Sequence, residues 1–369
     1  MIYLDHAATT PPTEAVKTAV LRSFEVFGNP SSLHKLGIEA EREIAHARDV
    51  LTKTIGANAS EIIFTSGGTE ANNLMCGVAK KHKGRRIITT KAEHPSVLEP
   101  LAVLKDFEFF YLPINRGGDV CHKSLREALK EPTCLVSIHH VNNETGVIQD
   151  IEALGKVIKQ ISPQTLFHVD AAQSFCKIPI NISQMQIDLL TMSAHKIGGL
   201  KGVGALYLRK GVNLPPIIKG GGQESNLRSG TENVTGIMSF ASATQSFQPI
   251  TVPLKETFLN NLDLEGVDVN GENTSPYILN ISVEGVRPEV LLNALSEQGV
   301  YISAGAACSA NKKQKDATSA VVSAYGLGAK RAETAVRISF AHSNTLEEMT
   351  QTAQIFAQTI TMLRKLRKL

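Results

Sequence analysis

The sequence predicts an α/β fold: a large domain with a mainly parallel seven-stranded sheet, and a smaller α+β domain beside it. From Glu61 to Leu208, short apolar runs alternate with segments of helical composition, the pattern of a parallel sheet covered on both faces. After Gln248-Pro249 that alternation gives way to strands and helices in mixed order. Polar residues follow nearly every apolar run, and ligands of such sheets sit beyond the carboxyl ends of the strands. At 369 residues the chain is too long for one small domain. Its boundaries read as 11–248 for the large domain, and 1–10 with 249–369 for the small one.

In chain order, a short strand at Tyr3-Leu4 runs into a polar loop stopped by Pro11-Pro12, and a helix follows from Glu14 to about Phe27. Glu39 to Leu51 has good helix formers and alternating charges. The seven strands of the sheet are Glu61–Thr65, Arg86–Thr90, Phe107–Leu112, Cys134–His139, Leu166–Asp170, Leu189–Met192 and the return strand Gly204–Leu208. Helices are expected at Ala71–Lys80 and Ile151–Gln160. The smaller domain reads as strand Tyr277–Val283, helix Pro288–Gln298, strands Val300–Ser303 and Ala335–Phe340, and a closing helix from Thr345. The basic residues near the end of that helix complement its dipole and need no partner.

The apolar run Leu189-Leu190-Thr191-Met192 ends in Ser193, then His195 and Lys196. A lysine at the end of a buried strand is costly to desolvate and usually has a partner or a chemical task, but taken alone this one reads as a solvated loop lysine, and the segment upstream is what favours chemistry. A desolvated lysine can bind an aldehyde covalently. Upstream, Leu166-Phe167-His168-Val169 ends in Asp170, and 196 − 170 = 26 residues leaves room for one crossover between neighbouring strands. A carboxylate for a pyridinium nitrogen and an amine for an aldehyde are the two protein groups that pyridoxal phosphate chemistry needs.

Other candidates fall on the same edge. Strand, Ser66-Gly67-Gly68-Thr69 turn and helix together make an anion site, since the glycines let the backbone approach and the helix dipole favours negative charge. The turn has neither a P-loop lysine nor dinucleotide spacing, so a single phosphate suits it. His94 stands where a strand enters a helix, a place for a cap or for a ring that stacks and moves protons. Asn143 and Gln173 follow strands too. The glycine-rich loop from Lys219 to Asn233 carries charged groups, which marks an ordered loop more than a linker.

Composition excludes several classes. A net charge of +3 is too weak to argue for nucleic acid. No apolar run approaches the roughly 18 residues of a membrane span, and residues 1–5 show no signal peptide. Five scattered cysteines give neither a disulfide framework nor a zinc site, so a cytoplasmic setting and no metal are expected. Cys76, Cys121, Cys134 and Cys176 read as inert residues in helices or strands.

Taken together, L-D-H-A-A-T-T, F-G-N-P-S-S, T-S-G-G-T-E-A-N-N, E-H-P-S-V, V-N-N-E-T-G, H-V-D-A-A-Q, S-A-H-K-I-G-G-L-K-G-V-G, R-S-G-T-E-N and A-V-R-I-S-F resemble the cysteine desulfurases. These belong to the class V aminotransferase group of fold-type I pyridoxal phosphate enzymes. The resemblance runs from residue 4 to about 340, in the family's order. It implies pyridoxal 5'-phosphate as cofactor and L-cysteine as substrate. Lys196 would hold the cofactor and move the Cα proton, Asp170 would meet its pyridinium nitrogen, and Gln173 its phenolic oxygen. His94 would stack on the ring, with Asn143 beside it. Gly68, Thr69, Ser193 and His195 would hold the phosphate, with Thr231 from a second subunit, which implies a homodimer with shared sites. Arg337 and Asn29 would bind the substrate carboxylate.

Cys308 matches the family's nucleophile, so the expected products are alanine and a persulfide destined for a sulfur-acceptor or scaffold protein. Iron–sulfur clusters, tRNA thiolation and cofactor biosynthesis are its possible destinations. A selenocysteine lyase and an ordinary class V aminotransferase are the neighbouring activities. Two departures stand out: A-G-A-A-C replaces the family's S-G-S-A-C, and the lysine-rich K-K-Q-K-D-A-T follows the nucleophile.

Overall fold

The computed structural model describes residues 1–78, 84–262, 265–304 and 318–366. The elements run β1 (Ile2–Tyr3), α1 (Glu14–Ser23), α2 (Lys35–Ile55), β2 (Ile62–Thr65), α3 (Gly68–Cys76), β3 (Arg86–Thr89), α4 (Pro95–Ala102) and β4 (Glu108–Tyr111). Next come α5 (His122–Ala128), β5 (Thr133–His139), α6 (Ile151–Ile161), β6 (Leu166–Asp170), β7 (Leu189–Ser193), β8 (Gly204–Leu208) and α7 (Val234–Gln245). The remainder is α8 (Leu254–Asn261), β9 (Val267–Val269), β10 (Ile278–Val283), α9 (Pro288–Ser296), β11 (Val300–Tyr301), β12 (Ser303–Ala304), α10 (Ala320–Ala324), α11 (Ala329–Glu333), β13 (Ala335–Ser339) and α12 (Leu346–Leu366).

The seven expected strands form one sheet in the order β2-β8-β7-β6-β5-β3-β4. All are parallel except β8, which pairs antiparallel with both neighbours. The cause is local. The link from β7 to β8 holds only a short 3-10 turn, Ala194–Ile197, and no crossover helix, so the chain must double back.

Period-two alternation sends Phe64, Ile88 and Val136 into one core with Leu51 of α2 and Leu154 of α6. It sends Ile63, Ile87 and Leu135 into a second core with Leu74 of α3 and Leu101 of α4. Gly204 opens β8 where a Cβ would lie 2.7 Å from the Gly67 Cα and from the Met192 carbonyl oxygen. Only glycine lets the return strand start against the anion turn.

A separate core forms around a four-stranded antiparallel sheet, β12-β13-β10-β9, where Leu279, Ile281 and Val336 meet Phe258 of α8 and Phe356 of α12. The N-terminal segment touches both regions. Its β1 pairs parallel with β11, and the Ser339 N–H donates to the Leu4 carbonyl at 2.8 Å. Six residues on, the Thr10 N–H donates to the His195 carbonyl at 2.9 Å.

Some boundaries differ from expectation. Helix α1 stops at Ser23, short of Phe27, because the chain turns there to bury Val26 and leaves Phe24 and Phe27 exposed. Helix α3 begins at Gly68, earlier than Ala71, since tertiary position overrides the poor helix propensity of glycine. Of α3's expected end, Lys80 lies outside the described residues. Helix α7 was not anticipated. It is uncharged and packs against both α1 and α2, so it lacks the polar face that marks a surface helix. The glycine-rich loop is pinned: Glu224 pairs with Arg48 and accepts the Phe64 N–H at 2.8 Å, and Arg228 bridges Glu70 at 3.0 Å. No helix among the described residues is long and apolar enough to cross a membrane.

Candidate functional site

Strand order gathers the chemistry at the carboxyl edge of the large sheet. Strand β6 delivers Asp170, buried, and β7 delivers Ser193 followed by His195 and Lys196 on the 3-10 turn. The Asp170 carboxylate accepts the Ala172 N–H and the Asn72 side-chain amide, each at 2.9 Å. The Lys196 amine donates to two backbone carbonyls of the N-terminal loop, Ala7 at 2.7 Å and Ala8 at 2.9 Å. Gln173 Nε2 donates to the same Ala7 carbonyl at 2.9 Å.

Three buried polar atoms around this cluster have no hydrogen-bond partner among the described residues: Gln173 Oε1, Asn72 Oδ1 and Arg337 Nε. Leaving such groups unpaired costs about 1–3 kcal/mol each, so a cluster of them marks a place built for something else. The other donors of Arg337 are occupied, Nη1 by the Asn143 carbonyl and Nη2 by Asp5, both at 2.9 Å.

At the anion turn, α3 starts from Gly67, which has no side chain to cap the first N–H groups. A Cβ at Gly68 would stand 3.6 Å from that of Ser193, so helix terminus and β7 end face one another. His94 caps α4, its Nδ1 accepting the Ser96 N–H at 3.1 Å.

Positive charge dominates. Burial, and then the neighbouring Lys196, Lys201 and Lys177, push His195 down to about 4. Lys177 keeps part of its surface exposed, yet its ammonium lies over the Tyr277 ring, 5.5 Å from the centroid. Burial and then Lys196 push it down to about 7. A site that sheds protons this way favours an anionic ligand. Glu144, next to Asn143, goes the other way: burial lifts it to about 7, against the pull of Ser319, Arg337 and His94.

These features fit pyridoxal 5'-phosphate. The open helix terminus with Ser193 and His195 suits a phosphate, Asp170 a ring nitrogen, Gln173 a phenolic oxygen, and Lys196 an aldehyde.

The expected residues divide into two groups. Gly68, Thr69, His94, Asn143, Asp170, Gln173, Ser193, His195, Lys196 and Arg337 follow strand ends or lie in strands around this edge. Asn29 and Thr231 are exposed, without hydrogen bonds to the cluster, and Asn29 Oδ1 accepts the Ser31 N–H at 2.9 Å. Cys308 lies outside the described residues. Both of its flanks reach the site: Ser303 pairs in register with Arg337, and the Ser319 hydroxyl donates to Glu144 at 2.5 Å.

The expectation for the other cysteines needs correction. Cys76 and Cys134 lie in a helix and a strand, but Cys121 is the N-cap of α5 and Cys176 sits in a turn at φ 63°. Burial pushes Cys134 and Cys176 up to about 12, whereas hydrogen bonds from Ser124 lower Cys121. Sequence reasoning missed Asn72. Its signal was the spacing, four residues after Gly68 and so on the same face of α3.

The family model for class-V aminotransferases matches residues 2–351. The chain is 41% identical to a cysteine desulfurase IscS of Dictyoglomus turgidum, across 98% of this chain and 95% of that one. It is 39% identical to a putative cysteine desulfurase IscS of Bacillus subtilis, across 98% and 99%. Among solved structures, a NifS-like protein superposes with a TM-score of 0.89 at 34% identity, covering 98% of this chain and 99% of that one. A structure described as SspA in complex with cysteine gives a TM-score of 0.83 at 35% identity, covering 94% and 100%. With its sequence, fold and strand-end chemistry in agreement, the chain belongs to the class-V aminotransferase family, in its cysteine desulfurase branch.

Proposed function

We propose that the chain is a pyridoxal 5'-phosphate-dependent cysteine desulfurase, which converts L-cysteine to L-alanine and collects the sulfur on Cys308. The observation that carries this reading is the Asp170–Gln173–Lys196 cluster, with its unpartnered Gln173 Oε1 and Arg337 Nε. When bound, the cofactor supplies an electron sink that makes the Cα proton of an attached amino acid removable.

The chain's residues do the rest. Asp170 would hold the ring nitrogen protonated, and the first turn of α3 with Thr69, Ser193 and His195 would hold the phosphate. The spare Arg337 Nε, assisted by Asn29, takes the substrate carboxylate. Lys196, which donates to the Ala7 and Ala8 carbonyls, would hold the cofactor's aldehyde and, when free of it, would take the substrate's Cα proton at Nζ. The Cys308 thiolate attacks the substrate sulfur. An S–S bond forms, the C–S bond breaks, and its electron pair stays on Cβ, which takes up a proton to become the alanine methyl group. The persulfide then passes to an acceptor protein, with iron–sulfur cluster assembly the destination suggested by the IscS relatives. Thr231, exposed in its own chain, is suited to complete the phosphate site of a second copy in a homodimer. None of the four described cysteines is joined in a disulfide, which is consistent with a cytoplasmic setting.

The test is to load the purified protein with cofactor and add L-cysteine without any keto acid. Alanine and protein-bound sulfane sulfur should appear together, and Cys308→Ala should abolish both. A need for keto acid would point to an aminotransferase. Unchanged alanine formation by Cys308→Ala would remove the nucleophile assignment.

A further inference from the structure

We propose that Asn72 and Ser96 are positioning residues that join Asp170 to His94 through one hydrogen-bond chain, with the Asn72 amide donating to both sides, and hold the His94 ring as its Nε2–H tautomer. This deepens the functional reading above and rests on it for the roles of the two end groups.

The direction of each bond follows from proton accounting, starting at His94. Pro95 occupies the first position of α4 and has no N–H. The first free donor of the helix is therefore the Ser96 N–H, and it points at His94 Nδ1 from 3.1 Å. A backbone N–H can only donate, so Nδ1 must present a lone pair. The Ser96 hydroxyl lies 2.7 Å from the same Nδ1 and must donate to it as well. Its oxygen then accepts from Asn72 Nδ2 at 2.8 Å. The other proton of that amide goes to Asp170 Oδ2 at 2.9 Å. A flipped Asn72 would set its oxygen against the carboxylate, and so the amide orientation is fixed too. With Nδ1 bare, a neutral imidazole carries its proton on Nε2.

The Asn72–Asp170 link is buried, and the links through Ser96 to His94 are half-buried. Asn72 is 1% exposed and Asp170 6% exposed, and helices α3 and α4 pack directly on each other. The arm from Asn72 through the Ser96 hydroxyl to His94 runs head to tail, so its bonds polarise one another, and the second proton of the same amide anchors it on Asp170. The ends of the whole chain are the carboxylate for the ring nitrogen and the imidazole for the ring face. Asn72 and Ser96 thus set the orientation of two groups on one cofactor without touching the reacting atoms, as outer partners do for metal ligands.

Neutron diffraction from deuterium-exchanged crystals of the full chain, with and without bound pyridoxal 5'-phosphate, reads the proton positions directly. The expected map has deuterium on Nε2, none on Nδ1, and the Ser96 deuteroxyl aimed at Nδ1. In the loaded enzyme, Ser96→Ala should lower kcat for alanine formation about tenfold with KM retained, and Ser96→Thr should restore most of it. Asn72→Ala should shift the visible absorbance band of the bound cofactor. Deuterium on Nδ1 overturns the proposal, as does a Ser96→Ala enzyme with wild-type kcat and the wild-type proton on His94. Failure of the functional reading is distinguishable, because a chain that neither binds the cofactor nor forms alanine still yields the proton map.

Discussion

The two ends of the large sheet hold carboxylates of opposite character. At the amino end of β7, Asp188 accepts from Lys159, Arg209 and the Phe167 N–H, beside a cavity of about 320 Å³. At the carboxyl end, Asp170 sits among Gln173 and Arg337, each of which keeps a buried polar atom without a partner among the described residues. Burial and charge are alike at the two ends. What differs is completeness: a saturated acid holds the fold together, and an unsaturated cluster waits for a ligand.

The largest expected effects break this comparison in opposite directions. Asp170→Asn should lower alanine formation on the order of 10³-fold, the scale of losing an aimed electrostatic partner, and leave the urea midpoint near wild type. Asp188→Ala should do the reverse. It strands Lys159 and Arg209 and should cost about 3 kcal/mol of stability, while the folded enzyme keeps its kcat. If both variants lost activity at equal stability, the distinction between the ends would be void.

Glu144, beside Asn143 at the edge of the carboxyl-end cluster, is an acid of a third kind. Its carboxyl lies at about 7 in the folded chain, against an ordinary value of 4.5. Between those values the unfolded chain gives up this proton and the folded chain keeps it, so this residue's contribution makes stability fall as pH rises from 4.5 to 7. Above that window the penalty is constant, at roughly 3 kcal/mol. Glu144→Gln should remove this component. Urea titrations at pH 5 and 8 should then show a smaller loss of stability with pH in the variant than in the wild type, and an equal loss would mean that the carboxyl titrates normally.

Arg337 sharpens the argument from unpartnered atoms. Arg337→Lys keeps a cation but loses the spare Nε, and KM for L-cysteine should rise roughly 10- to 100-fold, the worth of one charged hydrogen bond. An unchanged KM would take the substrate carboxylate elsewhere. The smallest effect is expected at Cys121. Its thiol is favourably perturbed, yet it caps a helix far along the chain from the cluster, and Cys121→Ser should leave alanine formation within about twofold, as surface substitutions usually do.

Much of this was legible in the sequence, for a physical reason. Strands buried on both faces are written as unbroken apolar runs, so the sheet showed itself, and Asp170 and Lys196 showed themselves as the polar residues that end two such runs. Contacts made by strand order were not legible. Nothing in T-S-G-G-T-E-A-N-N or E-H-P-S-V says that Asn72 and Ser96 meet; that depends on the packing of α3 against α4. The burial of Glu144 likewise depends on Ser319, far along the chain. Helix α7 escaped notice because it has no polar stripe to read, and Cys176 because nothing local announces its left-handed turn.

The N-terminal loop has a consequence for how the protein is made. Ala7 and Ala8 offer their carbonyls to Lys196, but β1 can be secured only once Val300 and Ser339 are in place. This loop precedes its partners in the chain by roughly 300 residues and is seated only after they fold. Until the chain through Ser339 has folded, the Ala7 and Ala8 carbonyls are not held against Lys196, so the cluster at the sheet edge is completed by segments brought together from opposite ends of the described fold.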